Sequence, residues 1–182
     1  MKYLTPIFIL IFSFSVFGQA EKCTLKASQI PTIRGLRLYM SKAQILKVYP
    51  NSRFGDQPLD LFDSAESATL QSKQITNPAL AKNIEKIVMF INAEKALSRV
   101  TFYYDDSILW PSPSEFIEQS TKTFGIDPKL WKPLSSNNSY YVLCADFDLS
   151  ITVQTGKANL TLNVAIDEII KNQDKRKKGF KP

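Results

Sequence analysis

The sequence predicts an α+β domain, with two helices packed on one face of an antiparallel sheet of about five or six strands. Three features carry that expectation. A capped amphipathic segment spans residues 41–50, a second spans 112–125, and apolar and polar residues alternate through 84–106 and again through 140–166. Each helical segment precedes an alternating stretch, at an offset of about 70 residues, which suggests two fused α-β-hairpin units over 35–106 and 110–166.

The chain begins Met1-Lys2-Tyr3 and then runs apolar from Leu4 to Phe17. A charged start, a short apolar run and small residues after it read as a signal peptide over residues 1–20, cleaved after Gly18 or Ala20. The run is shorter than the ~20 residues that a transmembrane helix needs. Cys23 follows Glu21-Lys22 rather than a small residue, so lipid anchoring is not expected. The mature protein is therefore expected to be exported, periplasmic or secreted, without a transmembrane segment, and to form a single domain over 21–170.

The first helix is expected to start at Ser41, which with Gln44 makes a capping box. Ile45, Val48 and Tyr49 then share one face, and Pro50-Asn51 closes the helix. Before it, residues 24–31 read as a polar lead-in that adds at most an edge strand. After it, 51–62 reads as a loop and 65–74 as a strand with Ala68 and Leu70 on one side. Asn77-Pro78 opens a short helical turn.

Residues 84–106 carry the clearest pattern: Ile87, Met89 and Ile91 alternate with Val88 and Phe90, and alternation resumes from Leu97 to Tyr104 after a polar turn. This is a β-hairpin. Ser112-Pro113-Ser114-Glu115 caps the second helix, Phe116, Ile117, Ser120 and Phe124 mark its buried face, and Gly125 ends it. Trp110 and Trp131 bracket that helix, and 140–154 with 158–166 read as a second hairpin turning at Thr155-Gly156-Lys157.

The run Met40-Ser41-Lys42-Ala43-Gln44-Ile45, with Pro50 following, resembles the Gly-Met-Thr-Lys-x-(Gln/Glu)-Val...Gly-x-Pro helix opening of the SmpA/OmlA (BamE-like) and β-lactamase-inhibitor-protein-like envelope domains. Tyr39 stands where that pattern has glycine, and Val48-Tyr49 replaces its Leu-Gly. The resemblance implies a small secreted α+β module that binds other proteins and catalyses nothing. It carries no functional residue across.

The two cysteines, Cys23 and Cys144, form an even pair in an exported chain, which predicts one disulfide over the alternative of two free thiols. The chain has no histidine. Ser-His-Asp and Cys-His catalysis and the usual zinc sites are thereby excluded, and no phosphate-cradling glycine loop is present. Carboxylate chemistry survives as an alternative function, a hydrolase built on Asp146 and Asp148, which are placed two apart on an expected strand, or on Asp105-Asp106. No loop offers the run of oxygen ligands that calcium needs, and no cofactor is expected.

Aromatic pairs supply the candidate surface. Tyr103-Tyr104 and Tyr140-Tyr141 each put one ring on either face of a strand. The plain reading of these rings is core on one side and ordinary surface on the other; the sharper one is an exposed face that, with Arg34, Arg37 and Arg99 at its rim, binds another envelope or secreted protein.

The formal charge of +6 is unevenly placed. Of 23 basic and 17 acidic residues, Lys2 falls in the leader, and six basic residues and one acidic residue fall after Ile170, which leaves 16 of each between. The excess sits in a tail, 171–182, that includes Lys175, Arg176, Lys177, Lys178 and Lys181, too polar to bury and expected to be disordered. A neutral body and an exported location argue against nucleic acid. The tail then reads as a solvated end that aids solubility, with a weak contact with anionic surfaces as the alternative. Truncation after Ile170 is then expected to abolish binding to anionic vesicles while leaving the melting temperature unchanged, and binding by the full chain is expected to fall steeply as salt shortens the Debye length below ~8 Å. Vesicle co-sedimentation of both forms across a salt series checks this.

Overall fold

The computed structural model describes residues 22–56, 64–107, 112–134, 138–154 and 157–165. The expected signal peptide, Trp110, the turn at Thr155-Gly156 and the basic tail lie outside them. The elements in chain order are α1 (Lys42–Val48), β1 (Gly55–Asp56), β2 (Ser64–Gln71), α2 (Pro78–Ala81), β3 (Ile84–Asn92), β4 (Leu97–Tyr104), α3 (Pro113–Phe124), β5 (Lys132–Pro133), β6 (Ser139–Leu143), β7 (Phe147–Gln154) and β8 (Lys157–Val164), with short 3-10 turns at Ser72–Gln74 and Pro128–Leu130.

All eight strands form one antiparallel sheet in the order β1-β2-β3-β4-β8-β7-β6-β5. The order is symmetric about its middle. Each half is a helix followed by a four-strand meander, and the halves meet through their last strands, where Val100 pairs with Leu162 and Phe102 with Leu160. Side-chain alternation turns that register into rows. One buried row runs Leu70, Ile87, Phe102, Leu160, Ile151, and the next runs Ala68, Met89, Val100, Leu162, Leu149, Val142.

Those rows need cover, and the helices supply only part of it. From α1 comes Ile45, followed by Tyr49, whose hydroxyl donates to the Arg34 carbonyl at 2.7 Å. Burial pushes the Tyr49 phenol up to about 12, against the pull of the Arg34 charge. From α3 come Phe116, Ser120 and Phe124, with Ser112 capping the start and Gly125, at φ 66°, ending the helix in a left-handed residue. The rest of the cover is an irregular arm over residues 22–40, which buries Ala27, Ile30, Ile33, Leu36 and Leu38.

That arm is shaped by a two-residue turn. Ile33 and Leu36 exchange backbone hydrogen bonds of 2.8 and 2.9 Å around Arg34 and Gly35, both at positive φ (51° and 77°), as a tight primed turn requires. A Cβ on Gly35 would lie 2.9 Å from Val48 Cγ1 against α1, so glycine is needed there twice over. The arm's start is fixed by the Cys23–Cys144 disulfide, with Cα atoms 4.5 Å apart at a sequence separation of 121.

The structure overturns the expected fold class. Among the described residues the protein is mostly β, with eight strands instead of five or six and an arm, rather than two helices alone, over the core. Two of the extra strands are the two-residue edges β1 and β5, too short to show a period. The third comes from residues 140–154, expected as one strand but broken into β6 and β7 by a turn at Cys144-Ala145-Asp146. The amide of Cys144 donates to Phe147 O at 2.9 Å and that of Ala145 to Leu25 O at 3.0 Å, so the arm itself satisfies the turn. No glycine or proline marks it in the sequence, and the helix-like spacing of Ala27, Ile30 and Ile33 belongs to no helix. Among the described residues no helix is long and apolar enough to cross a membrane.

One polar cluster ties the cover to the sheet. Glu66 sits at a bulge in β2, its side chain 7% exposed, and accepts from Lys42 at the first position of α1 and from Lys95 in the β3–β4 turn. A lysine at a helix start opposes the helix dipole, and Glu66 offsets that. The hydrogen bonds from Lys42 and then Lys95 hold the Glu66 carboxyl below the usual carboxylate range.

Two tests follow from this architecture. Replacing both cysteines by serine is expected to lower the melting temperature by roughly 10 °C, since the released loop is long, and to make residues 22–40 the first site of limited proteolysis. An unchanged melt contradicts this. Glu66→Gln is expected to lower the midpoint by about 2–4 °C at neutral pH. Because the folded-state carboxyl titrates below its unfolded value, its contribution is complete above the ordinary carboxylate range and is lost as pH falls through the folded value. Wild type and variant are therefore expected to converge in acid, as thermal melts at pH 7 and about pH 3 check.

Candidate interaction surface

The three described helices direct their buried or partly buried side chains into the core cluster, so the other side of the sheet is built by strand side chains alone. Three rows cross it. The first runs Ser67, Phe90, Arg99, Asn163, Asp148, Leu143; the second Thr69, Val88, Thr101, Thr161, Ser150, Tyr141, Lys132; and the third Gln71, Lys86, Tyr103, Asn159, Thr152, Ser139.

The centre of this face is hydroxyl and amide. Thr101 and Thr161 share a hydrogen bond of 3.0 Å across the β4–β8 pair, and Ser139 and Thr152 one of 2.8 Å across β6–β7. Around that centre, cations lie on rings. The Arg99 guanidinium is 3.8 Å from the centroid of Phe90, and Lys86 Nζ is 4.5 Å from that of Tyr103. Such stacking holds long cationic side chains flat and pre-ordered.

One corner is apolar. Leu143 (62% exposed) and Leu134 (43% exposed) are two of the three exposed large apolar side chains among the described residues. Leu143 is on the open side of β6 beside Tyr141. Leu134 follows Lys132 with the same alternation, and its amide donates to Ser139 O at 2.9 Å.

The expected surface residues are thus divided by the sheet. Tyr103, Tyr141 and Arg99 share the open side, with Tyr103 and Tyr141 three strands apart, roughly 14 Å. Tyr104 and Tyr140 turn to the core side, where Tyr104 meets Phe116 edge-on at 5.5 Å between centroids. Arg34 and Arg37 belong to the arm, Arg34 Nη1 donating to Ala79 O at 3.0 Å and the amide of Arg37 to Met40 Sδ at 3.3 Å. They do not rim the open face. Lys86, Phe90, Lys132, Leu134 and Leu143 do belong to it and were missed. For Phe90 and Lys86 the signal was present, since they occupy the phase opposite Ile87 and Met89. The basic-tail residues Lys175, Arg176, Lys177, Lys178 and Lys181 lie outside the described residues.

The carboxylates singled out in the sequence each serve a separate partner. Asp146 lies in the turn before β7, and its Oδ1 accepts from the Ala27 amide at 2.8 Å, which joins the arm to the sheet. Asp148 lies on the open face, where Asn163 Nδ2 donates to it at 2.7 Å. Burial pushes the Asp148 carboxyl up, and the Asn163 hydrogen bond pulls it back. Asp105 accepts from the Ser107 amide at 2.9 Å, and Asp106 pairs with Lys157 at 2.6 Å. Among the described residues no three His, Cys, Asp or Glu side chains gather as a metal site would need. Comparison with known families, with curated proteins and with solved structures finds no match for this chain.

Proposed function

We propose that the protein is an exported, non-enzymatic interaction module, periplasmic or secreted, that binds another envelope or secreted protein through the open face of its sheet. The observation that carries this reading is the apolar corner. Leu143 and Leu134 flank Tyr141 on a face whose centre is hydroxyl and amide and onto which no described helix packs. An exposed apolar patch with a polar surround is the usual form of a protein-binding site. Lys86, Arg99 and Lys132 outnumber Asp148 on the same face, so the partner is expected to present acidic groups around an apolar contact. The Cys23–Cys144 disulfide fits an oxidising compartment. The resemblance of residues 40–50 to envelope binding domains points to the same class. The hydrolase alternative has less support, because Asp146 and Asp148 are engaged with different partners.

With a stoichiometric complex isolated from exported proteins, Tyr141→Ala and Leu143→Ala are each expected to weaken affinity by ~2 kcal/mol, about thirtyfold, with no change in melting temperature. Arg99→Ala is expected to lower the association rate and its salt dependence. Calorimetry and kinetics on purified proteins check both. Full affinity in the Tyr141 and Leu143 variants overturns the assignment of the face. Turnover abolished by Asp146→Asn or Asp148→Asn overturns the non-enzymatic reading.

A further inference from the structure

On the opposite side of the sheet, between the arm and α3, lies a cavity of about 330 Å³. Ile33, Tyr104, Phe116, Phe124 and Leu160 supply its apolar walls, and Arg34 stands among the polar residues that line it. A volume of this order is at the small end of those that hold organic ligands, with room for on the order of ten non-hydrogen atoms.

Two independent features point to what would fill it. Arg34 uses one N–H on Ala79 O, and the rest of its guanidinium fork remains to bind a planar anion. The Tyr104 hydroxyl, on a largely buried ring, has no hydrogen-bond partner among the described residues. Burial pushes that phenol up, and the nearby Arg34 charge pulls it back, so at neutral pH the hydroxyl stays a donor beside a fixed cation. The Arg34 fork and the Tyr104 hydroxyl, with the neutral polar side chains of Thr32, Gln119, Ser120 and Thr123 and no carboxylate, thus line a hollow with apolar walls. That combination suits a monoanion with a short greasy body. A phosphate dianion would want more than one cation, and a neutral hydrocarbon would leave both donors unpaired.

We propose that this cavity binds a small organic monocarboxylate with an apolar, ring-bearing body, its carboxylate on Arg34 and the Tyr104 hydroxyl and its ring against Phe116, Phe124 and Leu160. The site is separate from the open face, so its occupancy and partner binding are independent properties. The residues that form it come from the arm, the sheet and α3. Arg34 is carried by the primed turn, Tyr104 by the end of β4 and Phe116 by the first turn of α3.

The test uses the mature chain, with 4-phenylbutyrate as the probe and 4-phenylbutanol as its neutral counterpart, both titrated by NMR. Saturable shifts centred on Tyr104 and α3 are expected with the acid, at a dissociation constant of about 1 mM or tighter, and about tenfold weaker with the alcohol. Arg34→Gln is expected to remove the acid's advantage. Gln119→Trp and Thr123→Trp, exposed positions on the rim of α3, are expected to block both probes while preserving the fold. No saturable shift up to about 10 mM, equal affinity for acid and alcohol in the unaltered chain, or binding unaffected by both tryptophan variants would overturn the proposal.

Discussion

The rest of the structure depends on the antiparallel seam between β4 and β8. Each half of the sheet is a meander whose strands pair with sequence neighbours, and such pairings form locally at small loop cost. The seam is different, because Arg99 pairs with Asn163 and Tyr103 with Asn159, strands distant in sequence with a helix and three other strands between them. Without it each half would be a small sheet with an open edge and a half-covered apolar face. With it, the two rows from Leu70 to Ile151 and from Ala68 to Val142 become continuous, and one core replaces two marginal ones.

A continuous apolar face this wide imposes the second constraint, which is cover. One seven-residue helix and one twelve-residue helix cannot shield it. The arm fills the gap, and being irregular it must find partners for its backbone groups outside any helix or strand. It does so with the Ile33–Leu36 turn, the Ala27 amide on Asp146, and the Ala145 amide on Leu25 O. The disulfide stands at the end of this series, where the arm would otherwise fray.

How much of this the sequence discloses depends on the range of the interaction. Helix starts were legible because capping is local: Ser41 with Gln44, and Ser112 with Pro113 and Glu115, are found where the spacing placed them. The hairpin at 84–106 was legible because β-branched and aromatic alternation is strong there. The Cys23–Cys144 bond followed from number alone. Less legible were the features set by distant partners. The turn at Cys144-Ala145-Asp146 has no turn residue at its centre and is satisfied by Leu25. Arg34 and Arg37 could not be assigned a face, because the arm that carries them has no period. Of the proposed surface, Tyr103 and Tyr141 were named, whereas Leu134 and Leu143 look in sequence like ordinary strand-end leucines and acquire meaning only through exposure.

The two ends of the sheet have a consequence for behaviour in solution. An eight-stranded antiparallel sheet with full-length outer strands would offer two rows of unsatisfied amides and carbonyls to any extended chain nearby. Here the outer strands are two residues long, Gly55-Asp56 at one end and Lys132-Pro133 at the other. Proline has no amide to donate, and a charge beside it resists burial against a neighbouring strand. The protein can thus keep a broad, polar, aromatic-flanked face open to water at high local concentration without polymerising edge to edge.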